Sequence, residues 1–205
     1  MNKIRLIAVT GGIGSGKTAV TEFIKAAGYP VVSCDEITAE LYRNEEFLTE
    51  LAKIFPQAIK KAWAGESERL IADKKEIAKE AFSCPDKYEK LNMRVTEKVF
   101  SCGMERAKGL AETGKNSTAF IEVPLLFENG YEKFFDNVIV VKRDVSARIA
   151  AVKARSGLSE KEIADRIEKQ YDYASLPPFA TVIENEGDLT ALKKATTSAL
   201  EKMGL

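Results

Sequence analysis

A glycine-rich octapeptide near the start of the chain has the residue types and the spacing needed to hold a phosphate group. Residues 11–18, GGIGSGKT, match the pattern G-x-x-x-x-G-K-[ST]. Glycines let such a loop turn so that successive backbone N–H groups point inward around an anion. In this pattern Lys17 reaches the β- and γ-phosphates, and the Thr18 hydroxyl can bind Mg²⁺. The octapeptide therefore predicts a site for a nucleoside triphosphate and Mg²⁺.

The predicted phosphate site comprises the loop and the first turn of the helix that follows it. A helix N-terminus adds its positive dipole end and its unpaired N–H groups to such a site. The alternative, a glycine-rich turn without a ligand, is disfavoured because the octapeptide follows a predicted strand and opens a predicted helix. Lys17 is predicted to be catalytic as well as nucleotide-binding, and Thr18 is the predicted metal ligand. The predicted nucleotide contacts are Gly11, Gly12, Gly14, Ser15, Gly16, Lys17, Thr18 and Ala19.

Asp35 is a second candidate for chemistry, because it lies directly beyond the second predicted strand, in VVSCDEI. Open α/β sheets bind ligands at the carboxyl ends of their strands. A carboxylate there could accept or orient the proton of an acceptor hydroxyl, or bind Mg²⁺ through water. The alternative is that Asp35 is the N-cap of a helix over residues 36–43. Position alone does not separate the two.

The composition excludes several other kinds of chemistry. The 205 residues contain no histidine, which rules out Ser-His-Asp, Cys-His and histidine-ligated metal sites. Three widely spaced cysteines without a CxxC pair indicate reduced thiols in a cytoplasmic protein, and no signal peptide is expected. Lys plus Arg and Asp plus Glu number 31 each, and no long apolar run occurs. We therefore expect neither a nucleic-acid nor a membrane partner.

The elements that must position these residues begin with a strand, the glycine loop, a helix over residues 17–28 and a second strand. That order forms a βαβ unit, whose two strands are parallel. The prediction is an α/β fold with a parallel sheet flanked by helices. Its strands are predicted at residues 4–9, 29–32, 117–123, 137–142 and 180–185.

Two helical regions interrupt this predicted sheet. Residues 36–113 carry charged and apolar residues at helical spacing, with a piece at residues 57–67, QAIKKAWAGES, that we expect to be irregular. Residues 143–172 predict a charged helical pair broken at Gly157. Small-molecule kinases need such closing segments because phosphoryl transfer must exclude water. The base-reading and switch motifs typical of GTPases are not found in suitable places, so a kinase is favoured.

Four stretches, in this order, carry a resemblance to a known family: GGIGSGKT after a strand, GYPVVSCDEI, EVPLLFENG and ENEGDL. Over essentially its whole length the chain resembles the dephospho-coenzyme A kinases. The resemblance implies transfer of the ATP γ-phosphate to the 3′-hydroxyl of dephospho-CoA, the last step of coenzyme A synthesis. It implies a three-layer P-loop fold with three parts: a nucleotide core (residues 1–35, 114–142 and 171–205), a helical acceptor-binding region (36–113) and a lid (143–170).

The resemblance also implies roles for individual residues. Asp35 matches the catalytic base beside the acceptor hydroxyl, and Arg148 matches a lid arginine that binds the nucleotide and acts in catalysis. Arg148, Arg155, Arg166 and Gln170 together match a pattern of arginines and a glutamine in and after the lid. Arginine suits that place because its delocalised charge can spread over phosphoryl oxygens. For each arginine the alternative is a solvated helix face.

Further contacts are implied on both substrates. Asn185 and Gly187 match an N-x-G sequence whose loop lies against adenine, although a simple turn is the alternative. Glu128 either orders metal, water or acceptor or caps local backbone. Lys74 stands where an arginine is common, so it keeps the charge without the bidentate fork. The implied acceptor contacts are Asp35, Lys74, Glu128 and Arg155.

Two other functions stay open at this point. A related P-loop kinase would act on another nucleoside, nucleotide or small alcohol. A nucleotide-dependent regulator would bind ATP and transfer nothing. In the position where family members often carry the first carboxylate of Asp-x-Asp, this chain has Ser33, so the departures from the family pattern concentrate on the acceptor side.

Overall fold

The computed structural model describes residues 3–64 and 67–205, which divide into two compact units. The first unit combines the chain up to Ser33 with Glu105–Leu205, and the second is Cys34–Met104. The strands are β1 (Arg5–Thr10), β2 (Val31–Ser33), β3 (Ile59–Ala64), β4 (Ser67–Ala72), β5 (Thr118–Glu122), β6 (Asn137–Lys142) and β7 (Ala180–Glu184). The helices are α1 (Lys17–Ala26), α2 (Cys34–Leu41), α3 (Glu45–Ala52), α4 (Lys74–Ser83), α5 (Pro85–Thr113), α6 (Val145–Ser156), α7 (Glu160–Glu168) and α8 (Leu189–Lys202).

The first unit is built on a five-stranded parallel sheet in the order β2-β5-β1-β6-β7. The central strand β1 is almost wholly buried, as expected for a parallel strand covered on both faces. Its side chains join those of α1 and α8 in one apolar core that includes Ile7, Val20, Ile24, Phe120 and Leu192. The predicted α/β fold with a parallel sheet flanked by helices is confirmed, and each predicted strand lies within two residues of its observed bounds.

The sheet places three strand ends at one edge. In register, Ser33 of β2 stands opposite Glu122 of β5, and Glu122 stands opposite Val9 of β1. Because parallel strands end at the same edge, the loop that follows β1 and the residues that follow β2 leave the sheet on the same side. The edge that holds the glycine loop is therefore the ligand edge of this sheet.

The second unit contains α2, α3, α4, the first part of α5 and a two-stranded antiparallel hairpin of β3 and β4. The expectation of an irregular piece at residues 57–67 is wrong, because Ile59–Ala64 pairs over its full length with Ser67–Ala72. An ion pair between the two strands supports the pairing, because Lys61 Nζ lies 2.8 Å from Glu68 Oε2. Gly65 and Glu66, which the predicted piece also includes, lie outside the described residues. Among the helices of the described ranges, none is long and apolar enough to cross a membrane.

Candidate active site

The glycine loop joins β1 to α1 in the conformation that the octapeptide predicts. Gly11 and Gly16 have φ of 147° and 98°, which L side chains rarely adopt. A Cβ on Gly11 would also lie 2.3 Å from the backbone oxygen of Val141. Helix α1 receives no side-chain cap at its N-terminus, because its N-cap residue is Gly16. No side chain therefore competes with an anion for the first N–H groups of α1.

Lys17 is held against this loop. Its Nζ donates to the backbone oxygens of Gly11 at 2.6 Å and Gly12 at 3.1 Å. Thr18 is exposed in the first turn of α1, and the backbone N–H of Ala19 donates to the oxygen of Gly16 at 3.1 Å. The ammonium group of Lys17 and the Thr18 hydroxyl thus belong to one short segment that runs from the loop into the helix.

Asn185 supports the loop after the last strand. Its side chain is buried, and its Nδ2 donates to the backbone oxygen of Ser15 at 2.8 Å. A Cβ on Gly16 would lie 2.3 Å from the same Nδ2, so the glycine is needed for this close approach. Gly187 is similarly crowded, because a Cβ there would lie 2.8 Å from the Cβ of Ala191. Asn185 therefore acts on the phosphate loop, and contact of Asn185 and Gly187 with adenine stays a prediction.

Arg148 lies against the same loop, from the first turns of α6. The side chain is 8% exposed, and its Nε donates to the backbone oxygen of Ile13 at 2.9 Å. Its Nη2 donates to Gln170 Oε1 at 2.9 Å, just beyond the end of α7. Burial lowers the pKa of the Arg148 guanidinium from its usual high value. The solvated helix face considered for Arg148 is therefore wrong.

The remaining lid arginines differ from Arg148. Arg155 and Arg166 are exposed on α6 and α7, which form the predicted helical pair with Gly157 at the break. Gly157 has φ of 66° at the C-cap of α6, the left-handed conformation that glycine adopts readily. The acceptor contact of Arg155 stays a prediction.

A cavity of about 440 Å³ opens beside the loop within the first unit. It lies between the loop, α6 and the chain after α7, and its walls include Gly12, Ser15, Arg143, Arg148, Gln170 and Tyr173. Neither Arg143 nor Tyr173 was predicted as a site residue. Arg143 Nη1 contacts the backbone oxygen of Gly14 at 3.5 Å. The cavity brings two arginines to the phosphate loop, which suits an anionic ligand.

An aromatic cluster of Phe127, Tyr171 and Tyr173 adjoins the cavity. The rings of Phe127 and Tyr171 stack with centroids 4.6 Å apart, and Tyr173 packs edge-on against Tyr171. Glu128, next to Phe127, accepts a hydrogen bond from the backbone N–H of Tyr171 at 2.9 Å. This contact is the local backbone role that the sequence left open for Glu128, and its contact with the acceptor stays a prediction.

Burial raises the pKa of Tyr173 to about 12, and the nearby Glu128 carboxylate adds to the effect, against opposing contributions from Thr10 and Arg148. Above pH 10 the Tyr173 phenol ionises in the unfolded chain before it ionises in the folded protein, because its folded pKa is the higher of the two. Its contribution to the free energy of unfolding is therefore complete below pH 10 and is lost as the pH rises towards 12. Urea unfolding should therefore show wild type losing about 1 kcal/mol more than Tyr173→Phe between pH 9 and pH 11. Equal alkaline losses in the two proteins would contradict this origin of the shift.

Asp35 and Lys74 belong to the second unit. Helix α2 begins at Cys34, one residue after β2 ends, so Asp35 lies exposed within its first turn. The alternative that Asp35 is the N-cap of a helix over residues 36–43 is therefore wrong. Lys74 is the first residue of α4, and its Nζ lies 4.7 Å from the centroid of the Tyr42 ring. Lys74 thus makes a cation–π contact, a use of its charge that does not need the arginine fork.

Glu122 is a residue of the site that was not singled out from the sequence. This carboxylate ends β5, is 8% exposed, and has its Oε2 3.5 Å from the Thr21 hydroxyl in α1. The Thr21 hydroxyl also donates to the backbone oxygen of Thr18 at 2.9 Å, so Thr21 links Glu122 to the turn of α1 that carries the predicted metal ligand. The signal was present in EVPLLFE, where an acidic residue closes an apolar strand.

Comparison with known proteins places this geometry in a family. The model of the family described as "CoaE: Dephospho-CoA kinase" matches residues 5–191. The chain belongs to the dephospho-CoA kinase family. A relative named "Dephospho-CoA kinase" from Thermus thermophilus is 33% identical over 97% of this chain and 91% of its own length. Another of that name, from Streptococcus pyogenes serotype M1, is 32% identical over 95% of this chain and 96% of its own length.

Solved structures agree with this assignment. The "Crystal structure of TT1252 from Thermus thermophilus" has a TM-score of 0.76 and 31% identity, and the match covers 98% of both chains. The "Dephospho-CoA kinase from Campylobacter jejuni" has a TM-score of 0.69 at 22% identity, over 97% of this chain and 96% of that one, and so supports the fold. The predicted family is confirmed, and with it a phosphotransferase that acts on an alcohol group of dephospho-CoA in the final step of coenzyme A synthesis.

The support that Asn185 gives to the loop of this dephospho-CoA kinase can be measured. Replacing Asn185 by leucine leaves the buried backbone oxygen of Ser15 without its donor. The expected cost is about 1–3 kcal/mol of unfolding free energy, read from urea denaturation. Asn129→Leu is the matched control, because Asn129 Nδ2 makes the same kind of bond, 2.7 Å from the backbone oxygen of Leu125, at an exposed site. Equal losses in the two variants would contradict a special role for Asn185.

Proposed function

We propose that the phosphate loop, Lys17 and Arg148 hold the ATP triphosphate while the 3′-hydroxyl oxygen of dephospho-CoA attacks the γ-phosphorus, the bond from that phosphorus to the β–γ bridging oxygen breaks, and ADP leaves. The observation that carries this proposal is the uncapped N-terminus of α1, with Lys17 Nζ bonded to the loop oxygens. In phosphoryl transfer the protein contributes positioning and stabilisation of charge, with little covalent chemistry of its own. Loop N–H groups, an ammonium and a guanidinium are the groups that this task requires.

Arg148 suits the charge that develops on the transferred group. Its Nε and Nη2 are bonded to Ile13 and Gln170, which fixes the plane of the guanidinium. The guanidinium carries five N–H donors, so others remain for phosphoryl oxygens. In a site with little water, a fixed cation stabilises negative charge more strongly than in bulk solvent. We assign Arg148 to both nucleotide binding and catalysis.

Thr18 and Glu122 fit the requirements of Mg²⁺. Magnesium prefers hard oxygen ligands and usually combines few protein groups with substrate phosphates and water. Thr18 of α1 supplies a hydroxyl. Glu122 of β5 supplies a buried carboxylate, which lies near Thr21 of α1. The described residues hold no cluster of three or more acidic or thiol ligands, so a metal ion would depend on the nucleotide phosphates for further ligands. Bound there, Mg²⁺ would neutralise phosphate charge.

We assign Asp35 the role of binding the hydroxyl group of the acceptor. The residue follows β2 by two positions, and β2 ends in register with Glu122 of β5. Its carboxylate is exposed, as a group that must meet a second substrate needs to be. We propose that Asp35 accepts a hydrogen bond from the 3′-hydroxyl, orients it and takes its proton as the new bond to phosphorus forms.

The remaining assignments follow the family resemblance. We propose that residues 36–113 bind dephospho-CoA with Lys74, and that residues 143–170 act as a lid with Arg155. Residues 1–35, 114–142 and 171–205 are then the nucleotide core. The substrates are small molecules, without a nucleic-acid or membrane partner, and the proposed location is the cytoplasm. Contact of Glu128 with the acceptor belongs to the same proposal.

A coupled assay of ADP release tests whether the protein transfers phosphate from ATP to dephospho-CoA. Purified protein with ATP and Mg²⁺ should release ADP rapidly only when dephospho-CoA is added, from a panel that includes adenosine, AMP and simple alcohols. If ADP release depended instead on another member of the panel, the protein would still be a kinase, but that compound and not dephospho-CoA would be its acceptor. ATP binding without release stimulated by any acceptor would contradict a kinase and favour a nucleotide-dependent regulator.

A further inference from the structure

Gln170 joins the two lid helices to the phosphate loop through a ring of hydrogen bonds. Its Oε1 accepts from the backbone N–H of Ile13 at 2.8 Å and from Nη2 of Arg148 at 2.9 Å. Nε of Arg148 donates in turn to the backbone oxygen of Ile13 at 2.9 Å, which closes the ring. A single side-chain oxygen therefore connects the loop, α6 and the chain that follows α7.

We propose that Gln170 is a positioning residue for nucleotide binding: its neutral carboxamide holds Arg148 on the phosphate loop while leaving the arginine charge uncancelled. This inference rests on the proposed function, because it assigns Gln170 to the same nucleotide site. Gln170 acts through Arg148 and Ile13.

The neutrality of Gln170 is the central feature. Among residues 3–64 and 67–205, Arg148 forms no ion pair, although it is 8% exposed. A buried arginine is usually paired with a carboxylate, and such a pair would cancel the charge that a phosphate needs. An amide oxygen satisfies the same N–H donor without that cancellation. Gln170 thus fixes the guanidinium and preserves its attraction for the triphosphate.

The loop is shaped to accept this contact. A Cβ on Gly12 would lie 2.1 Å from Nη2 of Arg148 and 3.0 Å from Oε1 of Gln170. Glycine at this position therefore lets the guanidinium and the carboxamide lie directly on the loop backbone. Ile13 contributes through its N–H and its carbonyl oxygen, both of which are bonded in the ring.

Two variants separate positioning from mere structural support. Gln170→Met removes the acceptor, so Arg148 and Ile13 lose a shared partner, and kcat/KM for ATP should fall about tenfold or more. Gln170→Glu keeps an acceptor at the same reach but pairs Arg148 with a carboxylate. Its melting temperature should equal or exceed that of wild type, while the Kd for a fluorescent ATP analogue with Mg²⁺ rises about tenfold. A structural role alone predicts that Gln170→Glu recovers binding together with stability.

Lys169→Met is the matched control, because Lys169 is exposed and adjacent to Gln170. It should bind the ATP analogue as tightly as wild type. The titration contains no acceptor, so it tests Gln170 even if dephospho-CoA proves to be the wrong acceptor, whereas absence of turnover by wild type would count against the proposed function alone. Wild-type affinity in Gln170→Glu, or undiminished kcat/KM in Gln170→Met, would overturn the assignment.

Discussion

Replacing Asp35 by asparagine lowers kcat with dephospho-CoA by about 10²–10⁴-fold, the usual contribution of a group that transfers a proton in the transition state. The substitution keeps the size of the side chain and its place in the first turn of α2, and it removes the basic carboxylate. Binding of ATP should change little, because the proposed partner of Asp35 is the acceptor hydroxyl. Stopped-time assays of ADP release and a separate ATP titration measure the two effects.

Glu36→Gln is the control for this experiment. Glu36 is the next residue of the same helix, is also exposed, and undergoes the same change from carboxylate to amide. Its kcat should remain close to that of wild type. If Asp35→Asn retained most of its activity, or if both variants lost activity equally, Asp35 would not be the group that receives the proton.

Replacing Lys17 by methionine has the second large effect. The change removes the ammonium that is bonded to the loop oxygens of Gly11 and Gly12 but keeps an unbranched side chain. Loss of one preorganised donor to a developing oxyanion costs about 10²–10³-fold in kcat. We expect a loss of this size with any acceptor, because Lys17 acts on the triphosphate. The effect therefore tests the donor half of the site and leaves the acceptor open.

Lys25→Met is the control, because Lys25 is in the last turn of the same helix and pairs at the surface with Glu22, 2.8 Å away. Surface pairs contribute little to stability, so activity and unfolding free energy should both stay near wild type. An unimpaired Lys17→Met protein would contradict the assignment of the loop as the triphosphate site.

The strands and the phosphate loop were predictable because local chemistry determines both. Short apolar runs rich in branched residues, such as IRLIAV, are typical of parallel strands covered on both faces, and β6 was predicted with its observed bounds. The loop was predictable because each of its residue types answers a separate requirement of anion binding.

In the second unit, the hairpin of β3 and β4 was missed. Its strands IKKAWA and SERLIA are short and charged, and their pairing depends on contacts across the turn.

The ring formed by Ile13, Arg148 and Gln170 could not have been derived in the same way. Its bonds join residues that are 135, 157 and 22 positions apart. Ile13 takes part through its backbone, which every residue type possesses, so its side chain carries no signal. Family resemblance pointed to Arg148 and Gln170, but only the folded chain shows that they meet on the phosphate loop. The burial of Glu122 depends in the same way on the packing of β5 and α1.

We expect this chain to move the γ-phosphoryl group of ATP to the 3′-hydroxyl of dephospho-CoA. Mass spectrometry with ³¹P NMR of the products formed from ATP, Mg²⁺ and dephospho-CoA measures that transfer directly. We expect one new phosphomonoester on the 3′-oxygen of the acceptor and one ADP for each acceptor consumed. ADP accompanied by free phosphate and unchanged dephospho-CoA, or a phosphate on any other oxygen, would contradict it.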